Sequence, residues 1–540
     1  MKNFDRRRFL EFMGTSVAVG SGLAGFSLTT SCATGDSAKK SQAAGTGDSI
    51  PVLPYSDRDE LLLAEGLTYT LLASWGDEIK RDGTTFGFNN DFLAFFPIDN
   101  SPSEGVLCIN HETPHSGFVA DYWGADQSMK SQSQVNLERK SVGVTLLHIR
   151  QEKGKWQALK DSKFNRRMDA TSEIPLVSDK DIAGSKKVIG TLANSGGGFT
   201  PWDSYLTCEG NYDLFYGEAH LKSGKRHIGR GSSKEAPLLW QNHYPLPPEH
   251  YGWVVEIDPM TGASKKLTSL GRFAHKGATV RPAKNDLCVV YMSDDAKDEC
   301  LYKFISSQPS SLEKGTLYVA NIDKGQWLPL DLEKNISLKA QFKNQTELLV
   351  RTREAAKLVG GTPLDRPEDV EICPRTGALI VALSSNLERG NYFGSLLRIE
   401  ESGNDPFAMT FKSSTFMAGG EETGFACPDN LAFDRKGNLW ITTGISASEM
   451  NQGPYARFKN NGLFYIPLQG PSAGKAHLIA TAPKDAQLTG PTFSPDGKTL
   501  FFCMQHPGEL SKGPGHYTSH WPTGKVPKPS VVCLSGGIIS

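Results

Sequence analysis

The chain has 540 residues, with 58 Lys and Arg against 59 Asp and Glu, a formal net charge of −1 and nine cysteines. That balance offers no basic field to draw nucleic acid or an anionic membrane surface, so no nucleic-acid partner is expected. Gly 55 and Pro 31 suit many short strands and turns rather than long helices, and the length exceeds one ordinary domain unless the unit is a barrel or propeller.

The N-terminus reads as an export signal. "DRRRFLEF" sets Arg6-Arg7 before Phe9-Leu10, and a Gly/Ala/Ser-rich apolar run follows from Met13 to Leu28. This resembles a twin-arginine signal, read by the export machinery and passed with the protein already folded. The run is too short and glycine-rich to span a bilayer with ease. It ends in "LTTSC", where Cys32 is a candidate lipid-bearing cysteine; Thr29 stands where a lipobox usually has leucine, and the alternative is cleavage and release. Residues 33–49 read as a flexible tether. The expected location is the periplasm, free or lipid-anchored at the cell envelope.

Polar groups then recur where apolar, strand-like pieces meet loops. "GFNNDFLAFF" holds Asn89, Asn90 and Asp91, and "VLCINHETPHSG" holds Asn110, His111, Glu112 and His115. "LANSGGGFTPWDSYLTCEGN", residues 192–211, runs three glycines into a strand ending in Cys208 and Glu209. Glycines cost backbone entropy, so such a run marks a close backbone approach. Residues 214–250 read as an inserted loop. "YMSDDAKDECLYKF" holds Asp294, Asp295 and Glu299. After a helical stretch at 346–358, "DRPEDVEI" holds Arg366, Glu368 and Asp369. "FACPDNLAFD" holds Asp429 and Asn430, and "FCMQHPGE" holds Gln505, His506 and Glu509.

A turn ending in glycine and followed by an apolar β-rich run recurs at Gly377, Gly437 and Gly497, at a constant spacing of 60 residues. Glycine supplies the left-handed backbone such hairpins need. A fixed period of strand–turn–strand units long enough for four strands points to an all-β propeller over residues 50–540, with long inserted loops. Beyond Cys32, most cysteines lie inside apolar strand-like pieces without zinc spacing, which predicts buried free thiols.

The recurring polar groups are mostly oxygen donors, which suit a hard cation, calcium above all. The candidate metal ligands are Asp91, Glu112, Glu209, Asp294, Asp429 and Asn430. Arg366 offers a fork for a phosphate or carboxylate; the alternative from spacing is a salt bridge to Asp369 or another acid. Neither G-x-S-x-G, H-E-x-x-H nor a Walker loop is present, so serine-nucleophile and nucleotide-driven chemistry have no motif support.

Taken together, "GFNNDFLAFF", "NHE" at 110–112, "GGGFTPWDSYLTCEGN", "LGRFAHKGA", "VVYMSDD", "RPEDVE", "CPDNLAFDRKGNLW" and "FSPDGKTLFFCMQHPG" resemble the PhoX family of twin-arginine-exported bacterial alkaline phosphatases. The resemblance implies a six-bladed propeller whose channel holds an oxygen-bridged cluster of iron and calcium that hydrolyses phosphate esters. It implies metal-ligand roles for Glu112, Glu209 and Asp429, and places Arg366 and Glu368 near the phosphate as the catalytic pair. Three positions depart from the family pattern: Ser195 for a cysteine, Gly210 for a glutamate and Lys276 for a glutamate, each implied to be an iron ligand. Where the family more often has an aspartate, this chain reads Thr442-Thr443-Gly444. The expectation is a calcium-dependent phosphomonoesterase or phosphodiesterase whose di-iron centre is altered or absent, with the Lys276 ammonium replacing part of the lost charge. It would act as a monomer on a small phosphate ester. The alternatives are a calcium-dependent propeller lactonase or esterase and a non-catalytic surface lipoprotein with a degenerate site.

Overall fold

The three spaced glycines do the same work three times. Gly377, Gly437 and Gly497 have φ of 74°, 75° and 74°. Each closes the turn between the first and second strands of an antiparallel group of four or five strands, in the left-handed region that glycine enters without strain. The computed structural model describes residues 50–222, 225–229 and 236–539. The signal, the tether and Cys32 lie outside the described residues.

The described chain is mostly β-sheet, with few helices. Its leading strands are β1 (Asn90–Pro97), β2 (Asn194–Phe199), β3 (His275–Pro282), β4 (Pro367–Ile372), β5 (Pro428–Phe433) and β6 (Gln487–Phe493). Each pairs antiparallel with the next strand in sequence, and further strands add outward. β6 is followed outward by Thr499–Gln505, then Ser530–Gly536, then Leu67–Ser74, so the start and end of the described chain meet in one sheet. The helical stretch expected at 346–358 is two short helices, Gln345–Val350 and Thr352–Val359. Among its described residues, the 214–250 insert carries the hairpin strands Glu218–Lys222 and Lys225–Gly229.

The three glycines of residues 196–198 explain a pairing that the other leading strands lack. β2 runs parallel to β3, with Gly197 opposite Gly277, and this joins their two groups into one eleven-stranded sheet. A Cβ at position 196 would overlap the Lys276 carbonyl oxygen, and one at 198 the Ala278 carbonyl oxygen.

Side chains alternate across each strand, so a strand buried on both faces serves two cores. Val289 and Tyr291 pack with Val370 and Leu379 of the β4 group, while Val290 and Met292 of the same strand pack with Leu206 and Val254 of the β2 group. Phe501 and Cys503 pack toward Leu107 and Ile109 of the β1 group; Leu500 and Phe502 pack toward Trp440 and Leu463 of the β5 group. Two further clusters join the β1 and β2 groups (Val106 with Val255) and the β4 and β5 groups (Ile380 with Ile441). Each group thus shares one apolar layer with the group before it and one with the group after it. All eight cysteines from Cys108 to Cys533 are free and buried in the described residues.

Candidate active site

All six leading strands break register with their partners, after the first paired residue in β1 to β5 and after the third in β6. Asp91–Phe92 oppose Asn110 alone, Ser195–Gly196 oppose Cys208, and Lys276 is inserted between His275 and Gly277. Glu368–Asp369 oppose Ala382, Asp429–Asn430 oppose Thr442, and Gly490–Pro491 oppose Phe502. A bulge of one residue turns a side chain off the pleat and re-aims it. Five of the six bulges carry a polar or charged side chain, and four of them converge.

Lys276 is the meeting point. Its Nζ lies 3.1 Å from Asp91 Oδ2, 3.5 Å from Asp429 Oδ1 and 3.8 Å from Glu368 Oε2. Arg366 flanks it: its Nη2 is 3.1 Å from Glu368 Oε1, and its Nε donates to Asp295 Oδ1 at 2.7 Å. Arg366 sits at φ 57°, unusual for a non-glycine residue, and its side chain is 36% exposed against 6% for Lys276. Strained backbone of this kind persists where surrounding structure holds it, often at functional sites. Asp295 and Glu368 are the acids that pair with Arg366. Asp369, the alternative named by spacing, instead accepts the Val370 and Leu431 N–H groups at 2.8 and 2.9 Å.

Burial alone would lower the Lys276 ammonium, but Asp429, Asp91 and Glu368 together outweigh it and hold Lys276 well above the usual lysine range. Burial pushes the Asp91 and Glu368 carboxyls well up, against the opposing pull of Lys276 and Arg366 respectively. Burial likewise carries Asp369 to about 7. Carboxylates outnumber cations in this centre, which favours retained protons or a further cation.

Glu112 lies at the edge, its Oε1 accepting from Asn211 and its Oε2 from Gln505, each at 3.0 Å. Asn430 Oδ1 accepts the Gly490 N–H at 2.9 Å. The other two candidate ligands lie in separate ion pairs. Glu209 is fully buried; Lys266 Nζ is 2.6 Å from its Oε1, and the Gly252 and Trp253 N–H groups donate to its Oε2. Asp294 is gripped by two of the Arg353 nitrogens, Nη2 on Oδ1 and Nε at 2.8 Å from Oδ2. Glu299 pairs with Lys357. Asn110 and His111 are structural: Asn110 bonds the Ser195 and Gly196 carbonyls, and the His111 ring bonds the Phe88 carbonyl and the Thr145 hydroxyl. Lys266 and Arg353, which fix the two outlying acids, carried no signal in the sequence, and Asp295 was recognisable only as half of an Asp-Asp pair.

The donor set separates two kinds of metal. Asp91 Oδ1, Glu368 Oε2, Asp429 Oδ1 and Asn90 Oδ1 are buried without a hydrogen-bond partner. Orphaned oxygens of this kind suit a hard, oxygen-liganded cation. A di-iron centre does not fit. Ser195 Oγ bonds weakly to the His275 carbonyl at 3.4 Å, a side chain at Gly210 would start against that hydroxyl, and Lys276 brings an ammonium among the acids. Gly444 leaves its space beside Asp429 Oδ2, 3.0 Å from where a Cβ would lie. As they stand, no three His, Cys, Asp or Glu side chains among the described residues are grouped to hold a metal ion.

Known proteins place this architecture. No curated protein matches the chain. The solved structure of a gluconolactonase, XC5397 from Xanthomonas campestris, aligns over 90% of this chain and 99% of its own, but at 11% identity and a TM-score of 0.33. Pseudomonas fluorescens PhoX, solved in complex with vanadate, a transition state analogue, covers 90% of this chain and 98% of its own at 28% identity, with a TM-score of 0.79. A family model described as alkaline phosphatase PhoX matches residues 49–508. The chain belongs to the alkaline phosphatase PhoX family and is a phosphoric-ester hydrolase.

Proposed function

We propose that residues 50–540 form a six-bladed propeller that hydrolyses phosphoric mono- or diesters at the Lys276–Arg366 centre, as a monomer outside the cytoplasm. Residues 1–32 serve as a twin-arginine signal and 33–49 as a tether, with the protein free in the periplasm or anchored through Cys32. Six leading strands with one bulge each, and six apolar layers linking group to group, support the blade count. The observation that carries the function is Glu368 lying between two cations, Arg366 on one side and Lys276 on the other.

Arg366 is the more exposed cation and takes the phosphoryl oxygens of the entering ester through its fork. Asp295 holds the Nε edge and so aims the rest of the guanidinium. Lys276 offsets the charge of Asp91 and Asp429 so that an anion can approach. As a water oxygen bonds to phosphorus and the ester P–O bond breaks, Glu368 Oε2, which no protein donor satisfies, hands a proton to the departing ester oxygen; the water's own proton passes to a phosphoryl oxygen, and solvent reprotonates Glu368 once the products leave. Glu209 and Asp294 act as scaffold, each neutralised by its own cation.

The excess of carboxylates favours calcium as a resident cation, held by oxygens of Asp91, Asp429, Glu112, Asn90 and Asn430. Bound there, it would supply charge neutralisation for the phosphoryl group. Phosphate release should be lost on chelation and restored by calcium rather than by iron. Stoichiometric iron in protein purified from its native host, with a charge-transfer colour, would contradict this reading.

A further inference from the structure

Three segments of the centre continue side by side into one recess. Phe88 and Asn89 precede Asn90, Pro114 and His115 follow Glu112, and His506 and Pro507 follow Gln505; all six line one recess open to solvent. Phe118 forms part of the wall, with its ring 4.5 Å from that of His115 and 6.2 Å from that of Phe88. Trp123 meets Phe118 edge-on at 5.2 Å and Tyr517 lies behind it at 5.9 Å, so the wall is held by further rings.

The polar side chains of the lining are Asn89, Thr113, His115, His506 and Glu509, and several bond within the wall: Asn89 Nδ2 donates to Thr113 Oγ1 at 2.6 Å and the Phe118 N–H to His115 Nδ1 at 3.4 Å. His506 Nδ1 donates to the Asp485 carbonyl oxygen at 2.8 Å, which leaves Nε2 of the neutral ring as an acceptor, and Glu509 lies 3.5 Å from the same ring. His506 holds φ 39°, a left-handed backbone that a non-glycine residue keeps only when its surroundings insist. A sugar or polyol would need several donors and acceptors around it. The Phe88 and Phe118 rings, the His115 and His506 imidazoles and two prolines suit a flat ring instead, because rings stack and meet edge-to-face.

We propose that this recess receives the leaving group of the ester and selects a planar aromatic one, such as the ring of an aryl phosphate. The proposal rests on the hydrolase reading of the adjoining centre, since the recess opens from the segments that carry Asp91, Glu112 and Gln505.

The test compares kcat/KM for phenyl phosphate and glycerol phosphate in the full-length protein and in Phe118→Ala and Phe118→Leu. Phenol is intrinsically the better leaving group, and comparing the ratio between proteins cancels that advantage. The aryl-to-alkyl ratio should fall about fivefold to tenfold in Phe118→Ala, and less in Phe118→Leu, which keeps apolar volume and loses the ring. An unchanged ratio in both variants overturns the proposal. A measurement without turnover needs no variant: phenylphosphonate should bind the unaltered protein about tenfold more tightly than methylphosphonate by calorimetry, and equal binding overturns the proposal. Absence of any ester hydrolysis would defeat the hydrolase reading, and the phosphonate pair would still decide the recess by the same criterion.

Discussion

Lys276 Nζ lies 3.1 Å from Asp91 Oδ2, two residues 185 positions apart in sequence that meet because β3 and β1 bulge at the same level. With Asp429 and Glu368 also within 4 Å of that ammonium, Lys276 is the counter-ion of three buried acids. Its removal should leave them uncompensated. Lys276→Gln is expected to destabilise the fold by about 3–5 kcal/mol, the cost of breaking a buried pair by losing one partner. Part of that loss should return when a divalent cation is added. Thermal unfolding with and without calcium checks both, and an unchanged midpoint would show that Lys276 does not hold the acids in balance.

Asp295 acts on Arg366 rather than on substrate. Asp295→Asn keeps the shape but weakens a charge-assisted bond of 2.7 Å. Inorganic phosphate should inhibit this variant about tenfold less well, with little change in the unfolding midpoint, because a loosened guanidinium binds the anion poorly. Phosphate inhibition equal to the parent's would remove Asp295 from the positioning of Arg366.

Two glycines of the same stretch should respond differently to alanine. At Gly196 the new methyl would collide with the Lys276 backbone carbonyl, which cannot move without parting β2 from β3. At Gly210 it would meet the Ser195 hydroxyl, the end of a side chain that rotates. Gly196→Ala should fail to yield folded protein, whereas Gly210→Ala should fold with a loss of about 1–3 kcal/mol, the usual cost of overpacking. Soluble yield and thermal melts separate them; a folded Gly196→Ala would show that the strands tolerate separation.

These contrasts show what the sequence made legible. Arg366, Glu368, Asp429 and Asp91 sit where apolar runs meet loops, and the fold gathers all four around one point. Glu209 and Asp294 have the same local appearance but turn to Lys266 and Arg353, whose proximity only the tertiary structure creates. Asp369 follows Glu368 in the same bulge, yet it bonds backbone N–H groups while Glu368 meets the two cations. The 60-residue glycine spacing foretold the repeated hairpins. It could not foretell the parallel β2–β3 contact, since the run of three glycines gives no hint of which backbone it approaches.

If phosphoric-ester hydrolysis takes place beside Arg366, removing its guanidinium must slow it. The most direct measurement is phosphate release from phenyl phosphate by the parent protein and by Arg366→Ala, in calcium, with circular dichroism and thermal melts on both. Loss of a preorganised cation at a developing charge costs on the order of 10²–10³ in rate. Phosphate release by Arg366→Ala should fall by that factor with the fold intact; full activity in this variant would place the hydrolysis elsewhere.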